Sequence, residues 1–225
     1  MPEANVHVHT PGLAHHFADA DQQREASSFG MWVFLVTEIM FFGGVFCCYA
    51  AYRVRYLPAF EAGSRLLDIK LGATNTAVLI ASSLTMALAV HAAQTGRRKA
   101  LVTFLLLTMV LGATFLGIKY MEYAHKWENF LVPGIRFSPH LILPSGVTLP
   151  NVQLFFCFYF AMTGLHALHM IIGLGLMAFL VGKALRGRFS KDYFTPVEVS
   201  GLYWHFVDIV WIFLFPLLYL IGGRY

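Results

Sequence analysis

Charge is what this chain has least of. Asp, Glu, Lys and Arg make up 12% of its 225 residues, about half the share of a typical soluble domain. Apolar residues make up 58%, against about 45–50% in soluble domains. That balance excludes an ordinary soluble fold and defines an integral membrane protein. The formal net charge of +4 is too small to imply a nucleic acid partner. Cysteine is scarce as well. Cys47, Cys48 and Cys157 all lie inside apolar runs, with no CxxC or Cys/His metal spacing, so they are expected to be small buried hydrophobes. An adjacent Cys47–Cys48 pair is a poor disulfide candidate. The N-terminus lacks a basic stretch followed by an apolar one, and does not read as a signal peptide. Its histidines His7, His9, His15 and His16 read as part of a solvated tail rather than a metal site. No repeat is visible, which argues against an inverted-repeat transporter.

What is present is a set of long apolar runs. A spanning helix needs about 20 mostly apolar residues. Five runs qualify, at about 29–55, 72–95, 100–124, 152–182 and 197–222. The prediction is an all-α bundle of five transmembrane helices over 29–225, preceded by a polar tail over 1–28. The segment between the third and fourth spans holds Pro133, Pro139, Pro144 and Pro150 and reads as a surface loop. Pro216 falls within the last span and should kink it. Arg97, Arg98, Lys99, Lys183, Arg186, Arg188 and Lys191 crowd two short, acid-poor loops. These loops lie on the side of the N-terminus, which is therefore assigned to the inside, with the C-terminus outside.

Polar groups inside the spans are the functional candidates, because they are expensive there. The run "FLVTEIMFFGGVF" (34–46) contains a single carboxylate, Glu38, roughly 13 Å along a helix rising 1.5 Å per residue. A charge at the bilayer centre costs about 2.5–3.5 kcal/mol or more. Glu38 is therefore expected to face protein and to be protonated. Lys119 and Glu122 are one turn apart and can pair, although Lys119, near the outer end of its span, could also snorkel outward. His166 and His169 are one turn apart, as are His205 and Asp208. Asp208 is expected to take His205 as its partner, with His169 or another span supplying a second hydrogen bond, and so to tie the last span to its neighbours. Asn75, Thr76, Ser82, Ser83, Thr85 and His91 in the second span suit interhelical hydrogen bonds. The same bland use is open to every histidine here, since a metal centre needs more ligands than His166 and His169 supply.

Taken together, five elements resemble a known family. "SGLYWHFVDIVWIFLFPLLYLIGG" resembles the closing helix of subunit III of haem–copper oxidases, with its WHFVDxVW signature. "FAMTGLHALHMIIGL", "NTAVLIASSLTMALAVHAAQTGRR", "FLGIKYMEY" and "VTEIMFFGGVF" resemble four other helices of that subunit, in the family's order. The resemblance covers nearly all of the chain from about residue 28, and is to the five-helix bacterial form. It implies a subunit with no catalytic residue, metal, haem or copper of its own, the haem and copper residing in partner subunits. It implies direct packing on subunit I, association with subunit II, support of proton uptake and bound phospholipid in a bacterial plasma membrane. Glu38 falls on the family's buried glutamate that reacts with a hydrophobic carbodiimide. Arg97, Arg98 and Arg186 are candidates for lipid head groups. A Glu at position 38 and the leader "HHFADADQQREASSFGMWVFLVTE" favour cytochrome c oxidase. A quinol oxidase or a nitric-oxide-reductase-associated homologue is the alternative. From another class, a stand-alone transporter or proton channel would use Glu38, His169, His205 and Asp208 as a relay.

Overall fold

A computed structural model describes residues 17–134, 137, 147–191 and 193–220. Six α-helices follow one another: α1 Ala20–Arg55, α2 Leu57–Arg65, α3 Ile69–Gln94, α4 Arg98–Glu128, α5 Leu149–Leu185 and α6 Thr195–Phe215. All but α2 are long and apolar enough to cross a membrane. No strand occurs among the described residues. The fold is the five-span helical bundle expected from hydropathy.

The helix limits have local causes. Asp19 caps α1 by accepting from the Gln22 N–H at 2.7 Å. Asp68 caps α3 through the Lys70 and Leu71 N–H groups. Each cap satisfies donors that have no partner within the helix. Because of the cap at Asp19, α1 starts nine residues before the apolar run, so part of the polar segment preceding residue 29 is helical. Pro150 sits in the first turn of α5, where its missing N–H costs nothing. It therefore opens a helix instead of belonging to the loop. Pro139, Pro144 and the four leader histidines lie outside the described residues. α1 and α5 have 36 and 37 residues, about 54–56 Å at 1.5 Å per residue. A hydrocarbon core is about 30 Å thick, so both helices extend beyond it or tilt.

α6 is the most buried span and α1 the least. α3 packs most extensively on α4, while α6 contacts α3, α5 and α1. Two indoles of α6, Trp204 and Trp211, are fully buried. Trp204 occupies space that only glycine leaves open: a Cβ on Gly112 or Gly173 would meet its ring at 2.8 Å. Lipid tails are as apolar as these side chains, so close packing and hydrogen bonds hold the bundle rather than escape from water. The hydroxyls of α3 provide such bonds. Ser82 accepts from the Trp204 indole N–H (3.0 Å), Thr76 accepts from that of Trp211 (3.1 Å), and Thr85 meets Thr108 of α4 (2.8 Å).

At Pro216 the regular ladder of α6 stops. Pro216–Leu220 continues as a π-helical turn, because proline offers no N–H and the chain rewinds around the gap. Tyr49 of α1 and Ser64 of α2 donate to the carbonyls of Leu217 and Leu218 in this turn, at 3.0 and 2.8 Å. The rewound turn leaves the Tyr219 side chain fully buried in the core.

The cysteines differ from expectation. All three are free and exposed on the outer surface of the bundle. Around an apolar span that surface faces acyl chains or another apolar chain, where a thiol is tolerated as a small hydrophobe.

Candidate functional site: two intramembrane carboxylates

The C-terminal end of α4 holds a closed polar cluster. Lys119 Nζ donates to Glu122 Oε2 at 2.8 Å, to the Tyr219 hydroxyl at 2.9 Å and to the Tyr159 hydroxyl at 3.3 Å. Both tyrosines in turn donate to Glu122 Oε1, at 2.9 and 2.7 Å. All three ammonium protons are used and both carboxylate oxygens are engaged. Lys126 Nζ approaches the same oxygen at 3.7 Å, as an ion pair without a hydrogen bond. Lys119 also lies 4.9 Å from the centre of the Trp211 ring, a cation–π contact. Lys119 is 3% exposed, so it does not snorkel. It turns inward because its hydrogen bonds are there, on α5 and on the π turn.

Glu38 is built differently. Its Oε2 lies 3.2 Å from His169 Nε2, which joins α1 to α5. The other ring nitrogen, Nδ1, lies 2.8 Å from the Leu165 carbonyl oxygen. A carbonyl can only accept, so Nδ1 carries a proton. At that distance the two side chains make an ion-pair contact that ties α1 to α5 inside the span. Phe42 stands edge-on to the imidazole at 5.4 Å, and Tyr203 donates to the His169 carbonyl at 3.0 Å.

The remaining candidates do not converge. His166 is buried between the rings of Phe115 and Trp211, at 5.3 and 5.1 Å, and makes no hydrogen bond to a described residue. His169 is engaged by Glu38 and the Leu165 carbonyl instead. His205 Nδ1 lies 2.8 Å from the Ser83 hydroxyl, so the expected His205–Asp208 pair does not form. Neither oxygen of Asp208 has hydrogen-bond geometry with a described residue. The nearby Ser83 hydroxyl is engaged by His205, and His169 by Glu38 and Leu165. Asn75 is likewise buried without a described partner. No group of three or more His, Cys, Asp or Glu side chains is placed to hold a metal among the described residues. At the opposite end of the bundle, Arg98 donates to the carbonyls of Ala184 and Leu185, closing the C-terminus of α5. Arg97 precedes α4 as its N-terminal flanking residue, and Arg186 follows α5.

Sequence reasoning missed Tyr159, Tyr219 and Lys126. Lys126 is four residues after Glu122, a spacing that signals a pair. The tyrosines gave no linear signal, because they meet Glu122 only through α5 and the π turn.

The fold and these sites define a multi-pass membrane protein with a closed intramembrane ion-pair cluster and several separate buried polar groups. The sequence profile of cytochrome c oxidase subunit III matches residues 14–132 and 144–223. Subunit 3 of the cytochrome bo(3) ubiquinol oxidase of Pseudomonas aeruginosa is 29% identical over 195 residues, 87% of this chain and 85% of that protein. Cytochrome c oxidase subunit 3 of Formosania lacustris is 31% identical over 203 residues, 87% of this chain and 69% of that protein, and the subunit of Danio rerio is similar to the same extent. The chain belongs to the cytochrome c oxidase subunit III family, and so to a multi-subunit haem–copper oxidase, an oxidoreductase complex.

Proposed function

We propose that this chain is the non-redox, auxiliary subunit of a bacterial cytochrome c oxidase. It packs directly on subunit I within a complex that includes subunit II, and it supports proton uptake while electrons pass to oxygen through haem and copper held by those partners. The Glu38–His169 pair is the observation that carries this reading. It brings an intramembrane carboxylate within 3.2 Å of an imidazole, only partly enclosed, on the helix least buried by the rest of the bundle. Such a pair can hold or release a proton without placing a lasting charge in the membrane.

Bound phospholipid fits the same edge. A groove of about 400 Å³ between α1 and α6 is lined by Leu35, Phe42, Phe46, Phe206 and other apolar side chains, a surface suited to acyl chains. At the inner end Arg97 and Arg186 are placed for head groups. Arg98, with its guanidinium on α5, would add only the charge left over from that cap. The basic loops assign the N-terminus to the cytoplasm and the C-terminus to the outside. The ubiquinol oxidase relative supports a second reading, in which the complex takes electrons from a quinol.

The test is removal of this chain from the purified oxidase. Oxygen reduction should start at nearly the full rate and then decay faster during turnover. Haem or copper leaving with the chain would overturn the reading. A copper-binding subunit II in the same preparation distinguishes cytochrome c from quinol as donor.

A further inference from the structure

A second cavity, of about 410 Å³, lies between α3 and α6. None of its lining residues takes part in the Glu38–His169 pair or in the cluster around Glu122. It runs along Leu79–Ala87 of α3 and His205–Ile212 of α6, about two turns of each helix. Ile80, Leu84, Ile209 and Ile212 form apolar walls that open on the outer surface of the bundle. Ser83, His205 and Asp208 are its polar groups.

Asp208 is 3% exposed, and neither of its oxygens has hydrogen-bond geometry with a described residue. An intramembrane carboxyl is expensive, yet the fold keeps this one on the wall of a cavity. Ser83 meets His205 Nδ1 at 2.8 Å, so the remaining polar atom of the imidazole is Nε2. Residues three apart on a helix have Cβ atoms about 5–6 Å from each other. Asp208 and His205 therefore offer two hydrogen-bonding groups about a ring's width apart, in an apolar surround. A mostly apolar cavity of this size with a few placed polar groups suits a small molecule.

Depth narrows the kind of molecule. Asp208 lies near the middle of the span Thr195–Leu220, about 18–20 Å from either end. Phospholipid head groups lie beyond a hydrocarbon core about 30 Å thick, and acyl chains carry no hydrogen-bond donor. A helix of another subunit would lie along most of a span, whereas this concavity covers about two turns.

We propose that this cavity binds the head ring of a membrane-soluble hydroquinone whose apolar tail lies in the bilayer. One ring hydroxyl meets the Asp208 carboxyl and the other meets His205 Nε2. A hydroxyl both donates and accepts, so it suits the carboxyl in either protonation state and the imidazole in either tautomer. The isoleucines and Leu84 pack on the ring. The ring is bound here and not oxidised.

The experiment uses the intact, purified oxidase complex under argon, with a hydroquinone that carries a photoactivatable diazirine at the start of its tail. Cross-links to the peptides containing Leu79–Ala87 and His205–Ile212 are counted by mass spectrometry. Competition is run with the unlabelled hydroquinone and with its dimethyl ether, which keeps the ring and tail and loses both donors. In the wild type, the hydroquinone should displace the label and the dimethyl ether should need at least tenfold more to do so. Asp208→Leu should lower labelling roughly tenfold, the factor expected for one hydrogen bond. Asp208→Asn, whose amide still accepts and donates, should keep most of it. Equal displacement by the dimethyl ether shows apolar partition only and overturns the proposal, and this arm needs no substitution. Labelling unchanged in Asp208→Leu overturns it as well. So does an unlabelled wild type, the result expected if a helix of another subunit covers this face.

Discussion

Glu122 and Glu38 are both carboxylates inside apolar spans, yet their surroundings differ in kind. Glu122 has four polar partners drawn from α4, α5 and the π turn, and its side chain is 3% exposed. Glu38 has one recorded partner, the titratable His169, and its side chain is 20% exposed. Two lysines fix Glu122 as a carboxylate in a rigid, fully bonded network, the condition under which buried polar groups specify a structure. Glu38 meets one imidazole in place of two ammonium groups. Under the proposed function the difference separates a carboxylate that builds the fold from one that exchanges a proton.

The largest break in this comparison comes from Glu122→Leu. It strips Lys119 and Lys126 of their anion and should destabilise the subunit by about 3–5 kcal/mol, the usual consequence of leaving a buried charge unpaired. Loss of the chain from the purified complex and a lower denaturation temperature would register it. Adding Lys119→Met to Glu122→Leu should recover part of that loss, since the two residues act as a unit. A smaller effect is expected from Tyr219→Phe, which removes one hydrogen bond to Glu122 and one from Lys119. About 1–3 kcal/mol is expected, read from the same denaturation measurement.

Asp208 sharpens the comparison as a third carboxylate. Sequence reasoning expected Asp208→Leu to be worse than Asp208→Asn, because Leu would leave partners unsatisfied. The structure shows no hydrogen-bonded partner for Asp208 among the described residues, so that penalty disappears. Asp208 is buried at 3% exposed, and removing a buried polar group that has no partner relieves a cost of about 1–3 kcal/mol, so neither variant should lower stability and subunit retention should be unchanged. The smallest effect on stability belongs to Glu38→Gln. The amide can still donate to His169 Nε2, so retention and initial oxygen consumption should stay near wild type. Faster inactivation during turnover is the readout that a purely structural Glu38 would not move.

Hydropathy made the five spans legible, because each is longer than any core helix of a small soluble domain. It did not reveal α2, whose nine residues, Leu57–Arg65, are too short and too mixed to stand out. The Lys119–Glu122 pair was legible from its spacing, whereas its closure by Tyr159 and Tyr219 was not. That closure depends on Pro216 rewinding the end of α6, and a proline signals interruption without giving the new winding. Glu38 was legible as an anomaly in an apolar run. His169 as its partner was not, because nothing local links two spans so far apart in sequence. The expected His205–Asp208 pair failed for a related reason. Residues one turn apart share a face, but a hydroxyl across the interface, Ser83, offered the imidazole a partner at 2.8 Å.

A hydrophobic carbodiimide distinguishes the two carboxylates most directly, since its first step takes the proton of a carboxylic acid. The intact complex would be labelled, and the adducts located by peptide mass spectrometry. Modification should fall on Glu38, be absent from Glu122 and vanish in Glu38→Gln. Labelling of Glu122 to the same extent as Glu38, or labelling of Glu122 alone, would contradict the division between a structural and a proton-holding carboxylate.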